Sequence, residues 1–394
     1  MTIIIGAGTA GLMAAAHQKG KVILLEKGDK LGRKLELSGG GRCNITNRKP
    51  VDEFIKNIVG NGRFLHSAFS KFNNEHIIDF FENLGIKLKE ENDGRMFPVS
   101  NKASDIVNIL LKVIEQNNVI IKKNCIAKKI VFENDKVSGI LLANGEFLYA
   151  KKIIVATGGK SFPKTGSTGD GYAWAQEAGH TITELFPTEV PIKSSEKFVL
   201  DKTLMGLSLK DVNLKVMDGK KVVANHSGDV IFTHFGISGP AALRCSQFVL
   251  KTMKKRKIDK ITMTLDVCPT FNQDELTNKI ESILEKTNKK PQNSLKQLAP
   301  ERFLEFIMEE GENSGKIAEK LKKFTFTVNG TLPIEKSFVT GGGVSVKEIN
   351  PATMESKLIK GLYFCGEILD IHGYTGGYNI TVALVTGRIA ASVA

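Results

Sequence analysis

Apolar residues open the chain as a short run, Thr2 to Ile5, that ends on glycine. An alanine-rich stretch with helical spacing follows from Thr9 to Lys19, and then a second apolar run from Val22 to Glu26. This pattern predicts a buried strand, a glycine turn, a helix and a second strand. Residues 27–62 are rich in glycine, include Ser38-Gly39-Gly40-Gly41 and lack a helical period. A loop of that length inside a compact domain is usually functional.

Helical periodicity returns over 63–84 and 102–117. Residues 119–150 alternate as a β-meander that turns at Asn144-Gly145, a strong hairpin signal. A strand over 152–156 runs into Thr157-Gly158-Gly159, and Gly169-Asp170-Gly171 opens a helix that ends near Gly179. Beyond Pro187 the texture changes to short alternating segments, which suggests a small antiparallel sheet or barrel. Residues 272–323 carry Lys and Glu at helical spacing, and from about 335 the α/β pattern resumes, with a strand at 361–365 and a final helix over 377–393.

The expected fold class is therefore α/β: a discontinuous Rossmann-like domain from 1–187 and 335–394. It carries a β-barrel-like domain (188–268 and 324–334) and a helical insert (269–323). A domain that begins at residue 1 and is completed by the last residues must hold the middle of the chain as insertions.

Composition changes this picture little. The 394 residues are 41% hydrophobic and 25% charged, as in ordinary globular proteins. The apolar runs fall short of the ~18–20 residues that span a bilayer, so no membrane is expected. The residues after Met1 have no charged leader pattern. Five scattered cysteines make no CxxC, so neither a redox dithiol nor a metal site is expected, and the reading is cytoplasmic and reduced. The net charge of +13 invites a nucleic-acid reading, but no RNA-binding motif accompanies it. It is read as solubility and attraction for anionic ligands, and nucleic acid is not the expected partner. The oligomeric state is left open.

Chemistry enters with Gly6-Ala7-Gly8-Thr9-Ala10-Gly11, a G-x-G-x-x-G between predicted strand and predicted helix. Its first glycine permits the turn, the second lets backbone approach pyrophosphate, and the third lets helix pack on strand. The helix N-terminus offers N–H groups to the phosphates. Glu26 ends the second strand, where a carboxylate can accept from a ribose 2′-hydroxyl and would repel a 2′-phosphate. Residues 361–379 then supply Gly366-Glu367 at a strand end and a second glycine turn that opens a helix. FAD, with its ribityl chain and second phosphate, has a use for such a segment, and a plain NAD enzyme has none.

Several segments in order resemble a known family: Ser-Gly-Gly-Gly-Arg-Cys-Asn at 38–44, Ala-Thr-Gly-Gly at 156–159, Gly-Ser-Thr-Gly-Asp-Gly at 166–171 and Phe-Thr-His-Phe-Gly-Ile-Ser-Gly-Pro at 232–240. Thr-Gly-Gly-Gly-Val at 340–344, Thr-Met-Glu-Ser-Lys at 353–357 and the 361–379 segment complete the set. Together they resemble the flavoprotein family that includes aminoacetone oxidases and flavin reductases linked to bile-acid metabolism. More distantly they are similar to the fumarate reductase and succinate dehydrogenase flavoproteins.

The resemblance implies that Lys34, Ser38, Gly39, Gly40, Arg42, Cys43 and Asn44 wrap the flavin or its phosphates. Lys27, Ala127, Thr157, Gly158, Gly159, Gly376, Gly377, Tyr378, Asn379 and Ile380 join the expected cofactor contacts. Arg42 could neutralise pyrophosphate or the reduced ring. For Cys43 a packing role is preferred to a reactive thiol. Asp170 either meets the cofactor or caps its helix. Catalytic candidates are Arg42; His234, in the turn before Ser238-Gly239-Pro240; and Tyr374 and Tyr378, beside the glycines expected near the ring.

The favoured function is an FAD-dependent oxidoreductase whose flavin takes hydride from a small substrate or from a transiently bound NADH or NADPH, with O2 or another acceptor re-oxidising it. Oxidation of an amine such as aminoacetone and reduction of an activated C=C bond both remain open. The alternative is a nucleic-acid-binding protein in which FAD is structural.

Overall fold

The computed structural model describes residues 1–286 and 290–394. These divide into two units, Met1–Phe186 with Phe338–Ala394, and Pro187–Ser337.

The first unit is built on a five-stranded parallel sheet in the order Leu362–Phe364, Lys152–Val155, Thr2–Ile5, Val22–Leu25, Ile120–Lys122. The runs Ile3-Ile4-Ile5 and Ile153-Ile154-Val155 are almost wholly buried, as strands covered on both faces require. Helix Thr9–His17 packs against the last helix, Tyr378–Val393, and both are apolar around most of their circumference. Gly387 permits that contact, since a Cβ there would stand 2.3 Å from the Ala10 carbonyl oxygen.

The predicted meander divides. Ile120–Lys122 joins the parallel sheet, while Ala127–Glu133, Lys136–Leu142 and Phe147–Tyr149 form a separate antiparallel sheet that turns at Gly145 (φ +88°). Helix Ala103–Gln116 follows its predicted span closely. The 27–62 loop holds short helices at Arg33–Leu37 and Val51–Lys56. It also supplies Thr46–Asn47 to a small sheet with Leu88–Glu91 and Arg95–Pro98, which the pattern did not reveal.

The second unit carries a six-stranded antiparallel sheet in the order Ile192–Lys193, Gly236–Ser238, Lys221–Phe232, Ser208–Asp218, Ile261–Asp266, Phe324–Val328. Its two outer strands do not end in solvent on all sides: the Lys193 N–H donates to the Gly330 carbonyl at 2.9 Å, and the Asn329 N–H donates to the Lys193 carbonyl at 3.0 Å.

The helical stretch is not a body of its own. Leu276, Ile280, Phe303, Leu304, Ile317 and Leu321 share one hydrophobic core with Leu214, Met263, Leu265 and Phe326 of the sheet. Helical spacing announces an apolar face, and here that face is buried on the neighbouring strands. Of the expected insert, 287–289 lie outside the described residues.

Candidate functional site

A cleft partly open to solvent lies where the strands of the parallel sheet end. Its floor is Gly6, Ala7, Gly8, Thr9 and Ala10, so the predicted glycine turn and helix start stand where expected. Gly6 adopts φ +98°, and a Cβ on it would meet the Ala156 carbonyl at 2.7 Å. A Cβ on Gly11 would stand 1.8 Å from the Gly6 carbonyl oxygen, which fixes Gly11 as the packing glycine. Over Gly8 nothing lies within 4 Å, so its backbone faces open space at the start of a helix. That combination is a place for phosphate oxygens.

Glu26 lines the same cleft and organises the turn: one carboxylate oxygen accepts from the Ala7 N–H at 2.9 Å, the other from the Gly28 N–H at 2.8 Å. Ala127 lines it as well, as do three residues that the sequence did not single out, Cys125, Ile126 and Trp174. The Trp174 indole N–H donates to the Lys128 carbonyl at 3.1 Å, which fixes the ring in place. A tryptophan three positions beyond the expected Gly169-Asp170-Gly171 helix opening carries no motif, so only the fold brings it to the cleft.

Lys27 reaches Asp170 at 2.7 Å, and Thr168 hydrogen-bonds the same carboxylate. Burial opposes the charge on Asp170, yet Lys27 and Thr168 hold its pKa below the usual range. Asp170 is thus engaged by side chains and caps no N–H of its own helix.

The far wall is the C-terminal segment. Gly366 adopts φ +79°, and its N–H donates to the Thr386 hydroxyl at 2.9 Å. Lys34 donates to Glu367 at 2.6 Å and to the Ser161 hydroxyl at 2.7 Å. Thr157 and Gly158 line the cleft too, and the Thr157 hydroxyl is buried with no hydrogen-bond partner among the described residues. Gly159 is a packing position, its Cβ site 2.4 Å from the Thr340 hydroxyl.

Residues 38–44 do not line this cleft. Gly39 and Gly40 are left-handed (φ +57° and +69°), and the Ser38 hydroxyl donates to the Leu35 carbonyl at 2.6 Å. Arg42 forms a two-point pair with Glu91 at 2.8 and 3.0 Å and lies 4.1 Å over the Phe97 ring. Its guanidinium is therefore engaged by a carboxylate and an aromatic face. The Cys43 thiol is fully buried, and burial pushes its pKa up to about 12, which agrees with packing.

Asn44 joins this loop to the other chain end, its side-chain amide 3.0 Å from both the Gly377 nitrogen and the Thr46 carbonyl oxygen, which are both satisfied when the amide is turned with its oxygen toward Gly377. Gly376 and Gly377 (φ +126° and +95°) turn the chain into the last helix. Asn379 spends its side chain on Gly373 and Tyr374, accepting from the Gly373 N–H at 2.8 Å and donating to both carbonyls. Tyr378 is buried with its ring edge-on to Phe54, and Tyr374 is buried too. Ile380 is half-buried in the first turn of that helix. His234 belongs to the other unit, exposed in the turn between Lys221–Phe232 and Gly236–Ser238 and edge-on to Phe235.

A cleft with an open glycine, a helix start, a carboxylate at the end of the second strand and a second glycine turn suits one dinucleotide. The family model described as the HI0933-like protein Rossmann domain matches residues 1–393. The chain belongs to that family.

Among its relatives, a ribosomal RNA dihydrouridine synthase of Haemophilus influenzae is 32% identical, covering 96% of this chain and 94% of that one. A 3-dehydro-bile acid delta(4,6)-reductase of Clostridium scindens is 28% identical, covering 99% and 98%. Among solved structures, the open conformation of a flavocytochrome c3 fumarate reductase aligns over 99% of this chain and 77% of its own, with a TM-score of 0.55 at 18% identity. That last likeness concerns the fold. With the family comes the class: the protein is an FAD-dependent oxidoreductase. No helix among the described residues is long and apolar enough to cross a membrane.

Proposed function

We propose that the protein saturates a carbon–carbon double bond conjugated to a carbonyl, and that its substrate is a uracil base in ribosomal RNA. The observation that carries this reading is a chemistry common to two relatives of unlike substrate. Dihydrouridine is uridine with its C5=C6 bond, next to the C4 carbonyl, reduced. A delta(4,6)-reductase of a 3-dehydro bile acid removes double bonds conjugated to a C3 carbonyl. Of the two versions that the sequence leaves open, these relatives support C=C reduction over amine oxidation. They also give the net charge of +13 a use, as attraction to a polyanion.

In this reading Gly8 and the N–H groups at Thr9 and Ala10 hold the FAD phosphates, and Glu26 accepts from the adenosine ribose. Ala127 and Trp174 flank the base, and Lys34 with Glu367 holds the second glycine turn in place. When bound there and reduced by the nicotinamide donor, FAD would supply the hydride for the carbon β to the carbonyl, and solvent the proton for the α carbon. NADH or NADPH is the proposed donor, visiting without a Rossmann domain of its own. His234, exposed on the inserted unit, is a proposed substrate contact. The barrel-like character of that unit rests on the hydrogen bonds that link Lys193 with Asn329 and Gly330.

The test is incubation of the FAD-loaded protein and NADPH or NADH with ribosomal RNA lacking dihydrouridine, followed by nucleoside mass spectrometry. A uridine that gains two hydrogens supports the reading. A flavin reduced by NAD(P)H and re-oxidised by a 3-oxo-4-ene steroid, with the RNA untouched, moves the substrate to the bile-acid class. A flavin bleached by small amines and not by NAD(P)H sinks the reductase altogether.

A further inference from the structure

Seven basic side chains against two acidic ones fall in residues 218–221 and 254–260. The fold brings these two segments together. Arg256, in the last turn of helix Pro240–Arg256, grips Asp218 at 2.7 and 2.9 Å, and Asp218 pairs with Lys221 across the hairpin turn. Met217 pairs with Thr262, which sets Lys260 level with that same turn. One end of the inserted unit therefore presents Lys220, Lys221, Lys255, Lys257 and Lys260, all exposed. Among the described residues their ammonium groups make no ion pair, because the nearby Asp218 is taken by Arg256.

Basic residues in the last turn of a helix ordinarily complement its dipole. That accounts for Lys255, but Lys220, Lys221 and Lys260 belong to no helix. An open groove lined by Lys215, Met217, Val222, Thr264, Glu319 and Lys323 begins beside the turn and extends the basic path.

We infer that this end of the inserted unit is the surface that grips the ribosomal RNA backbone, a role that rests on the substrate class proposed above. Ammonium groups on flexible stems suit phosphates spaced along a strand. They add affinity without reading sequence, each releasing counterions on contact. The base to be reduced is selected elsewhere, and the grip holds the RNA while that selection occurs.

The test uses the FAD-loaded full chain and protein-free ribosomal RNA, with binding followed from about 50 to about 200 mM salt. Lys220→Gln, Lys221→Gln, Lys255→Gln and Lys260→Gln are combined in one variant. Lys19→Gln, Lys21→Gln, Lys112→Gln and Lys151→Gln, all exposed positions in the other unit, form a control with the same change in net charge. The first variant should bind roughly tenfold or more weakly, with its log–log salt slope shallower by about 3, while flavin content and NAD(P)H oxidation stay unchanged. The control should bind like the wild type, and the corresponding four Lys→Arg changes should retain binding.

Should the fourfold variant fold poorly, Lys220→Gln with Lys221→Gln in the exposed turn is read alone, with about half the change in slope. Wild-type binding by either of these variants overturns the surface while leaving the substrate reading intact. So does an equal loss in the control, or a loss confined to anionic phosphatidylserine vesicles. A wild type that neither binds nor modifies the RNA overturns both.

Discussion

The Lys34 ammonium donates to the Glu367 carboxylate at 2.6 Å, joining positions 333 residues apart. That carboxylate also accepts from the Ser161 hydroxyl and the Thr340 N–H, each at 2.8 Å. Burial acts to raise its pKa, but Lys34 and these donors prevail and hold it below the usual range. A depressed carboxylate contributes stability above its unfolded pKa of ~4.3, and that stability is lost as pH falls through the lower folded value. Glu367→Gln should therefore cost roughly 2–3 kcal/mol near neutrality and flatten the acid limb of a Tm-against-pH profile. Superimposable profiles for variant and wild type would remove the ion pair from the account.

Glu26 ties the glycine turn to the following strand through the Ala7 and Gly28 N–H groups. Glu26→Ala removes those acceptors together with the proposed ribose contact. FAD affinity should fall roughly 10–100-fold, in line with charge-assisted hydrogen bonds of about 1.5–3 kcal/mol. Equilibrium dialysis of the apoprotein measures this, and an unaltered dissociation constant counts against the assignment.

Two glycines separate packing from ligand approach. At Gly387 an added Cβ meets the Ala10 carbonyl at 2.3 Å, so Gly387→Ala should destabilise the protein by about 1–3 kcal/mol even without cofactor. At Gly8 nothing lies within 4 Å and φ is −80°, so Gly8→Ala should leave the melting point of the apoprotein unchanged and still impair FAD uptake. Equal melting losses in the two apoproteins contradict the distinction.

The Cys43 thiol, raised to about 12 by burial, is protonated at any working pH. A thiolate is the reactive form, so Cys43 should resist alkylation in the native protein and react only after denaturation. Peptide mapping after iodoacetamide treatment checks this. Early labelling of Cys43 would show that the loop opens.

His17 sits against Phe80, its Nδ1 3.0 Å from the Met13 carbonyl, and burial foremost lowers its pKa to about 4. The folded protein binds the proton less readily than the unfolded chain, so neutral His17 contributes stability above about pH 6.5. That contribution is lost as pH falls toward 4. His17→Gln should weaken the dependence of Tm on pH across that window, and no change there excludes His17 as its source.

The first thirty residues were legible because strand, turn, helix and acid are all local, and each choice agrees with the next. The Gly366 turn was legible for the same reason. Arg42 was not: its partner Glu91 is 49 residues away, on a strand whose Lys-Glu-Glu sequence has no apolar alternation. The Asp93-Gly94 pair was the available signal for that hairpin. Trp174 and Cys125 reach the cleft through sheet order alone, which no motif encodes. The helices between 273 and 322 declared an apolar face, but periodicity does not name the surface that covers it.

The cofactor-binding unit is made from both ends of the chain, whereas Pro187–Ser337 is contiguous. During translation the inserted unit is complete once residue 337 has left the ribosome. At that moment the parallel sheet still lacks its edge strand Leu362–Phe364 and the helix Tyr378–Val393 that covers Thr9–His17. The earliest-made segment must wait longest with apolar surface bare, so the vulnerable species in biosynthesis is a half-closed nucleotide fold.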